Sequence, residues 1–238
     1  MLYNNNRGEY MKYTEERKPI INILFFALSM ACLFIMPSVF YTIMRMFFED
    51  SLTLQFLSEL FAIVLLFLIY YKDLIKEFKI YIKNFKKNIP IMLKYYILGI
   101  LIMIVSNLFI SMIIGEVSSN ESAVRENLFA FPVYTMLSIM IVAPLSEELV
   151  FRKSISPLIK NKWIYAVVCG LLFGGAHLLA GEFELINLLY LIPYGSLGFV
   201  FALMNRETKT TFSSITMHCI HNTFTGLLLL ITYSLGVL

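Results

Sequence analysis

The chain alternates between long stretches without charged residues and short stretches that carry nearly all of its lysines and arginines. A helix that spans a bilayer needs about 20 mainly apolar residues. Seven stretches come near or exceed that length, the second of them only if Glu59 is tolerated inside it. We therefore predict an all-α, polytopic bundle of about seven transmembrane helices. The predicted spans are residues 19–44, 52–71, 95–115, 127–146, 163–181, 185–205 and 210–238.

The overall composition fits the same picture. Of the 238 residues, 59% are hydrophobic and 15% are charged, whereas soluble domains average about 45–50% apolar and about 25% charged residues. A chain so rich in apolar and aromatic residues is not expected to be disordered. The net charge of +3 is too small to indicate nucleic acid as a partner. A multi-pass membrane protein remains, with the lipid bilayer as its first partner.

The distribution of positive charge predicts a cytoplasmic N-terminus. Four segments that would then face the cytoplasm hold 17 of the 19 lysines and arginines, and the opposite loops keep only Arg45 and Arg125. Cytoplasmic loops normally carry this excess of cations. Together with a residue usage rich in Lys, Ile and Asn, this distribution suits a bacterial plasma membrane. The four segments are 1–18, 72–94, 152–162 and 206–209.

On this basis we divide the chain into three parts. Residues 1–18 form a hydrophilic cytoplasmic tail, residues 19–126 hold the first three spans, and residues 127–238 hold the last four. Between spans two and three, the lysines and apolar residues of 72–87 recur at helical spacing on neighbouring faces. This pattern predicts a basic amphipathic helix suited to an anionic leaflet. We interpret it as fixing the topology, because nothing separate supports a substrate-docking role.

Ionisable residues inside apolar spans point to the candidate chemistry. Such a residue costs about 2.5–3.5 kcal/mol at the centre of a helix and usually serves a function. The adjacent acids Glu147 and Glu148 lie near the inner end of the fourth span, whereas the first half offers only Glu59, whose role the sequence leaves open. This asymmetry predicts one site built from the fourth, fifth and seventh helices. All three histidines also lie in apolar stretches of the second half: His177, His218 and His221.

The acidic pair is followed at helical spacing by Arg152. Glu148 and Arg152 are four residues apart, share a helix face and can therefore pair. Glu147 points about 100° away from Glu148, which leaves it free for another partner. An ordinary charged cluster at the end of a helix would show the same pattern, so the pair alone leaves both interpretations open.

Three polar residues lie deeper in the predicted spans. His177 lies about 21 Å beyond the start of the fifth. His218 and Asn222 lie four residues apart on one face of the last helix, where two donors can bind a carbonyl oxygen or an oxyanion. Interhelical hydrogen bonding would also account for polar residues in these positions, and for His221 we prefer that interpretation.

Taken in order, these residues resemble the three motifs of the CPBP family of membrane proteins. That family comprises CAAX-type prenyl endopeptidases and bacteriocin-processing enzymes, also called Abi proteins. The resemblance covers about residues 127–235, and the first three spans match only as generic membrane helices. The motifs read Glu147-Glu148-x-x-x-Arg152, Phe173-x-x-x-His177 and His218-x-x-x-Asn222.

The resemblance implies an intramembrane endopeptidase. Glu147 and His177 would activate a water for attack on a peptide carbonyl, while His218 and Asn222 would form the oxyanion hole. The substrate would be a membrane-associated peptide or protein that is cut near the cytoplasmic leaflet. The physical chemistry agrees, because a carboxylate in a pocket of low dielectric constant suits a general base at neutral pH.

The resemblance also gives Glu148 and Arg152 supporting roles and raises the question of a metal. Family members have been described both as metalloproteases and as metal-independent enzymes. Glu147, His177 and His218 could supply the three protein ligands of a catalytic zinc. However, the HExxH helix of ordinary zinc proteases is absent, and the same residues account for hydrolysis without metal. We therefore expect no cofactor.

Two other functions compete with proteolysis. A bacteriocin-immunity or scaffold protein could use the same fold without cleaving anything, although it would not need buried Glu, His and Asn together. A small transporter would use buried acids to couple protons. Transporters usually have repeat-related halves with broken helices, whereas the polar residues here lie nearly all in one half. The sequence does not determine the substrate or the oligomeric state.

Overall fold

The structure, a computed structural model, describes residues 17–180 and 185–236. All regular secondary structure in these residues is helical, which confirms the predicted fold class. Most of the predicted tail, residues 1–16, lies outside the described part of the chain. The main helices are α1 (Pro19–Phe34), α2 (Met36–Met44), α3 (Ser51–Ile114), α4 (Ser119–Ala130), α5 (Pro132–Lys153), α6 (Lys162–His177), α7 (Leu191–Thr208) and α8 (Phe212–Ser234).

Two of these elements depart from a regular α-helix. Helix α5 consists of two α-helical parts, Pro132–Leu137 and Ala143–Glu148, each followed by a π-helical turn, Ser138–Val142 and Leu149–Lys153. Before α7, the segment Leu185–Tyr190 is a 3₁₀-helix that continues directly into α7. π-Helical turns occur frequently at functional sites. The two turns of α5 lie before and after Glu147 and Glu148, the acids that the sequence assigns to the candidate site.

Within the described residues, four helices are long and apolar enough to cross a membrane. These are α3, α5, α8 and the segment Leu185–Thr208, and the pair α1–α2, bent by 45°, is a fifth if it forms one span. The chain is thus built as a multi-pass membrane protein, but the predicted total of seven spans is not confirmed. Two predicted spans, 52–71 and 95–115, lie on α3 alone, and α6 has only 16 residues.

Helix α3 also contains the predicted amphipathic segment 72–87, so that one helix of 64 residues replaces three separate elements. A straight helix of that length would be about 96 Å long. Yet Thr53 Oγ1, near its start, lies 3.3 Å from the Tyr134 hydroxyl in α5. Residues 115–134, which include α4, connect the end of α3 to Tyr134 and reach at most about 50 Å. Helix α3 must therefore bend along its length, because its two ends lie closer together than a straight helix would place them.

Small residues let α7 pack tightly between α6 and α3. A methyl group added at Gly198 of α7 would lie 2.9 Å from Gly170 Cα in α6. On the α3 side, a methyl group at Gly99 would lie 2.6 Å from Val200 Cγ2. Close approach at small residues is typical of helix packing in membranes. This packing fixes α6, and with it His177 at its end, against the centre of the bundle.

Large apolar side chains are exposed on the outside of the bundle, above all along α3. Leu68, Phe109 and Met112 are 65–81% exposed. Soluble monomers rarely expose contiguous apolar surface of this kind, whereas a helix that faces lipid does. The exposed surface therefore agrees with the membrane protein that the composition predicts.

Candidate active site

The first π-helical turn of α5 leaves one backbone carbonyl free for a side chain. The Ala143 N–H donates to Ser138 O, as the i→i+5 pattern requires. The next carbonyl, Ile139 O, would accept from residue 144, but that residue is a proline and has no N–H. Asn222 Nδ2 of α8 donates to Ile139 O at 2.8 Å instead. Pro144 thus explains why this carbonyl is available to hold Asn222.

The adjacent acids Glu147 and Glu148 occupy different environments. The Glu147 side chain is 18% exposed, whereas the Glu148 side chain has no exposed surface. This difference follows from helix geometry, because neighbouring residues point about 100° apart. Glu147 is therefore accessible to water or a substrate, whereas Glu148 can contact only other groups of the protein.

Both acids approach His218 of α8. His218 Nδ1 lies 2.9 Å from Glu148 Oε1, and His218 Nε2 lies 3.7 Å from Glu147 Oε2. A carboxylate can only accept a hydrogen bond, so His218 carries a proton on Nδ1. A second proton on Nε2 would make the ring a donor on both sides. The last helix and α5 are thereby joined at the predicted site.

Arg152 completes a fully buried ion pair with Glu148. Its Nη1 lies 3.0 Å from Glu148 Oε1, and neither side chain has exposed surface. The guanidinium carbon lies 4.3 Å from the centre of the Phe173 ring and 5.7 Å from that of Phe201, which places the cation over aromatic faces. The pairing that the sequence predicts between Glu148 and Arg152 is thus present, and Glu148 connects it to His218.

His177 lies at the end of α6, but no hydrogen bond or ion pair joins it to Glu147 or His218, all three being described residues. Its Nδ1 lies 2.9 Å from Phe173 O, so in the neutral ring Nδ1 donates and Nε2 is the free acceptor. The Phe173 ring contacts both histidines, with its centre 4.5 Å from the centre of the His177 ring and 5.7 Å from that of the His218 ring. The structure therefore places His177 beside the cluster but not in contact with the acids.

Tyr194 of α7 holds the His177 ring by stacking on it. The two rings stack with centres 4.5 Å apart and an angle of 24° between their planes. The Tyr194 hydroxyl lies 2.7 Å from Ser118 Oγ, which ties the stacked pair to the loop after α3. Tyr194 could not be predicted from the sequence, because no motif distinguishes it from the other tyrosines.

His221 lies apart from this cluster. Its side chain is buried, and its Nδ1 lies 3.4 Å from the Tyr96 hydroxyl of α3. This contact joins α8 to α3 and is of the kind that interhelical hydrogen bonding predicts for His221.

Glu59 is a polar residue of the first half that does reach the site. Ser138 Oγ donates to Glu59 Oε2 at 2.5 Å, and Ser138 begins the π-helical turn that supplies the acceptor for Asn222. Glu59 thus contacts the same short segment that holds Asn222. An acid within an apolar stretch was the signal in the sequence, but the sequence could not show which helix it meets.

A second buried ionic cluster lies next to the site. Lys153 pairs with Glu77 and lies 3.3 Å from Asp73, which in turn pairs with Arg17 at 2.9 Å. Glu77 also accepts a hydrogen bond from the Thr211 N–H at 2.7 Å. The cluster joins α3 to the end of α5 and to the start of α8. This cluster was not predicted from the sequence, because its buried acids Asp73 and Glu77 lie among the exposed lysines of residues 72–87.

The predicted alternative of a zinc site does not fit this geometry. In the described ranges, no three His, Cys, Asp or Glu side chains come together in a group that could hold a metal ion. Among the three predicted ligands, all of them described residues, Glu147 and His218 approach each other to 3.7 Å, whereas no hydrogen bond or ion pair joins His177 to either of them. We therefore derive no catalytic step from a metal.

Comparison with known proteins adds an independent line of evidence. Residues 129–224 match the family described as type II CAAX prenyl endopeptidase Rce1-like, and this range includes every predicted site residue from Glu147 to Asn222. The chain is also 32% identical, over 114 residues, to the "Putative membrane peptidase YdiL" of Bacillus subtilis (strain 168).

Each of these matches covers less than half of the chain. The alignment with the Bacillus subtilis protein covers 47% of this chain and 43% of that relative, so the chain matches under half of the relative's length. No solved structure matches the chain. Both matches support the family that the three motifs indicate: residues 129–224 are similar to the type II CAAX prenyl endopeptidases described as Rce1-like.

Proposed function

We propose that the chain is an intramembrane endopeptidase of the plasma membrane that hydrolyses a peptide bond of a membrane-associated peptide or protein near the cytoplasmic leaflet. One observation carries the proposal: His218 lies between a partly exposed acid, Glu147, and a fully buried one, Glu148. A structural ion pair needs only one of these acids. The second, open to water, has the position that a general base requires.

In the proposed reaction, Glu147 and His177 activate a water. The water transfers a proton to the carboxylate of Glu147 as its oxygen attacks the peptide carbonyl, and the proton then passes to the leaving amine. His177 offers its free Nε2 as a second acceptor near the same water. Catalytic contacts often tighten only when a substrate binds, so in this proposal the bound substrate brings His177 and Glu147 to the same water.

The oxyanion of the tetrahedral intermediate would be stabilised by Asn222 and His218. The Asn222 amide group has two N–H donors, of which Ile139 O occupies one, so that one remains. His218 donates through Nε2 when its ring carries both protons. A well-placed oxyanion donor contributes about 2.7–4 kcal/mol to lowering the barrier. Arg152 and Glu148 position His218 without touching the substrate.

Comparative peptidomics of membranes tests the proposal and identifies the substrate in the same experiment. Membranes that contain the wild-type chain are compared with membranes that contain Glu147→Gln at the same expression level. Glu126→Gln, at an exposed acid outside the site, serves as the matched control. We expect peptides that appear with the wild type and with the control but not with Glu147→Gln.

The contrary outcome is equally clear. If all three membranes release the same peptides, the proposed cleavage by a water that Glu147 activates is wrong. A phenotype that persists in Glu147→Gln would then favour the non-proteolytic immunity or scaffold role.

A further inference from the structure

Residues 72–89 of α3 have three different faces. One face packs on the rest of the protein. Glu77 accepts hydrogen bonds from Lys153 Nζ and from the Thr211 N–H, and the Tyr81 hydroxyl lies 2.7 Å from Thr216 Oγ1. These contacts fix the segment against the ends of α5 and α8. The outward orientation of the other two faces is therefore set by the fold.

The second face is a stripe of exposed apolar side chains. Ile75 and Ile82 are 54% and 59% exposed, and the other members are 37–48% exposed. Their spacing of three and four residues keeps them in one line along the helix. This stripe, which we call the apolar stripe, consists of Ile75, Phe78, Ile82, Phe85 and Ile89.

The third face carries lysines. Each of four lysines follows directly after a member of the apolar stripe, so the two lines run side by side about 100° apart on the helix. All the lysines of this segment are exposed. They are Lys72, Lys76, Lys79, Lys83, Lys86 and Lys87.

This arrangement matches the chemistry of an anionic phospholipid. The apolar stripe fits the acyl chains, and the adjacent line of ammonium groups fits the phosphates at the level of the headgroups. A soluble acidic partner would satisfy the lysines but would leave the apolar stripe in water. The position of the segment between two apolar parts of α3 keeps it at the membrane surface.

We propose that the apolar stripe and the lysine face of residues 72–89 form a docking surface for anionic phospholipids. The surface selects lipids by headgroup charge and so does more than fix the topology. Because Glu77 and Tyr81 bind the other side of the same segment to the protein, a lipid docked there rests on a rigid support.

Native mass spectrometry of the purified full-length chain tests this proposal. The chain is equilibrated in detergent with equal amounts of phosphatidylglycerol and phosphatidylcholine, and the ratio of the two bound lipids is measured. We expect the wild type to retain phosphatidylglycerol preferentially. The triple variant Lys79→Gln, Lys83→Gln and Lys86→Gln should lower that preference by at least about fivefold, because each lysine near anionic lipid contributes measurably.

A matched variant controls for net charge. Lys94→Gln, Lys160→Gln and Lys162→Gln together remove the same three charges from exposed positions outside the segment and should leave the preference unchanged. An equal loss in both variants, or no loss in the first, would overturn the proposal. Displacement of phosphatidylglycerol by millimolar inorganic phosphate would also overturn it, since the site would then bind phosphate and not lipid.

Discussion

His218 Nδ1 lies 2.9 Å from Glu148 Oε1, and through this contact the last helix meets a fully buried ion pair of α5. Glu148 has no exposed surface and is shared between His218 and Arg152. One carboxylate therefore orients the histidine and neutralises the guanidinium at the same time. Because Glu148 has both roles, replacing it should change the stability of the protein as well as its activity.

Replacing Glu148 with Leu should strongly destabilise the protein. The Arg152 guanidinium would remain buried without a counter-charge, and breaking such a pair costs about 3–5 kcal/mol. Equilibrium unfolding of the purified protein in mixed detergent measures the change in the free energy of unfolding.

The double variant Glu148→Leu with Arg152→Met provides the control for that measurement. Removing both charges leaves no buried ion, so the double variant should be more stable than Glu148→Leu alone. The single variant Arg152→Met completes the comparison. If the double variant loses as much stability as Glu148→Leu and Arg152→Met lose together, the two residues are not coupled in the way described.

Pro144→Ala should lower kcat although residue 144 carries no catalytic group. The alanine N–H can donate to Ile139 O and compete with Asn222 Nδ2 for this carbonyl. Asn222 would then be held less firmly, with a loss smaller than the roughly 100-fold expected from removing an oxyanion donor in Asn222→Ala. Steady-state cleavage of a peptide identified by the peptidomics comparison gives kcat and KM separately.

Pro132→Ala is the matched control, because Pro132 begins α5 and a first-turn N–H has no partner within its helix. Its kcat should equal that of the wild type. A Pro144→Ala enzyme with unchanged kcat would contradict the positioning of Asn222 by Ile139.

Glu59→Ala should slow the same reaction through Ser138. The Ser138 hydroxyl would lose its acceptor, and the loss of one hydrogen bond corresponds to about fivefold in rate if it is fully transmitted to Asn222. Glu59→Gln keeps a carbonyl acceptor and should restore kcat, while KM stays unchanged in both variants. Equal kcat values for the alanine and glutamine variants would show that Ser138 does not transmit the effect.

Gly198→Ala and Gly175→Ala should change stability in opposite directions. A methyl group at Gly198 would lie 2.9 Å from Gly170 Cα, so α6 and α7 would have to separate at a cost of about 1–3 kcal/mol. No atom lies within 4 Å of a methyl group at Gly175, where alanine should stabilise the helix by up to about 1 kcal/mol. Thermal unfolding in detergent compares the two, and a stable Gly198→Ala protein would contradict the close packing.

The sequence predicts the helical class and most helix positions well, because apolar length and charge distribution report directly on membrane spans. Predicted span 210–238 corresponds to α8 (Phe212–Ser234), for example. The sequence does not predict that α3 continues through the lysine-rich segment 72–87. The lengths of the apolar stretches give their number but do not show whether the helix ends between them, and the lysines of this segment do not interrupt helical hydrogen bonding.

The sequence places the candidate residues on the correct helices, but it does not predict their contacts. Helical spacing predicts the Glu148–Arg152 pair because both residues belong to one helix. The contact of Asn222 with Ile139 O depends on a π-helical turn, and that of Glu59 with Ser138 depends on how two distant helices pack. Such contacts between elements leave no periodic pattern in the chain.

The single-turnover rate of peptide cleavage by purified Glu147→Gln tests the central claim most directly. Glu147 is the only partly exposed acid beside His218 among the described residues, and glutamine keeps its size but cannot accept the proton of the attacking water. We predict a rate at least about 100-fold below that of the wild type, with Glu126→Gln within about twofold of it. A Glu147→Gln enzyme that cleaves at the wild-type rate would contradict water activation by Glu147.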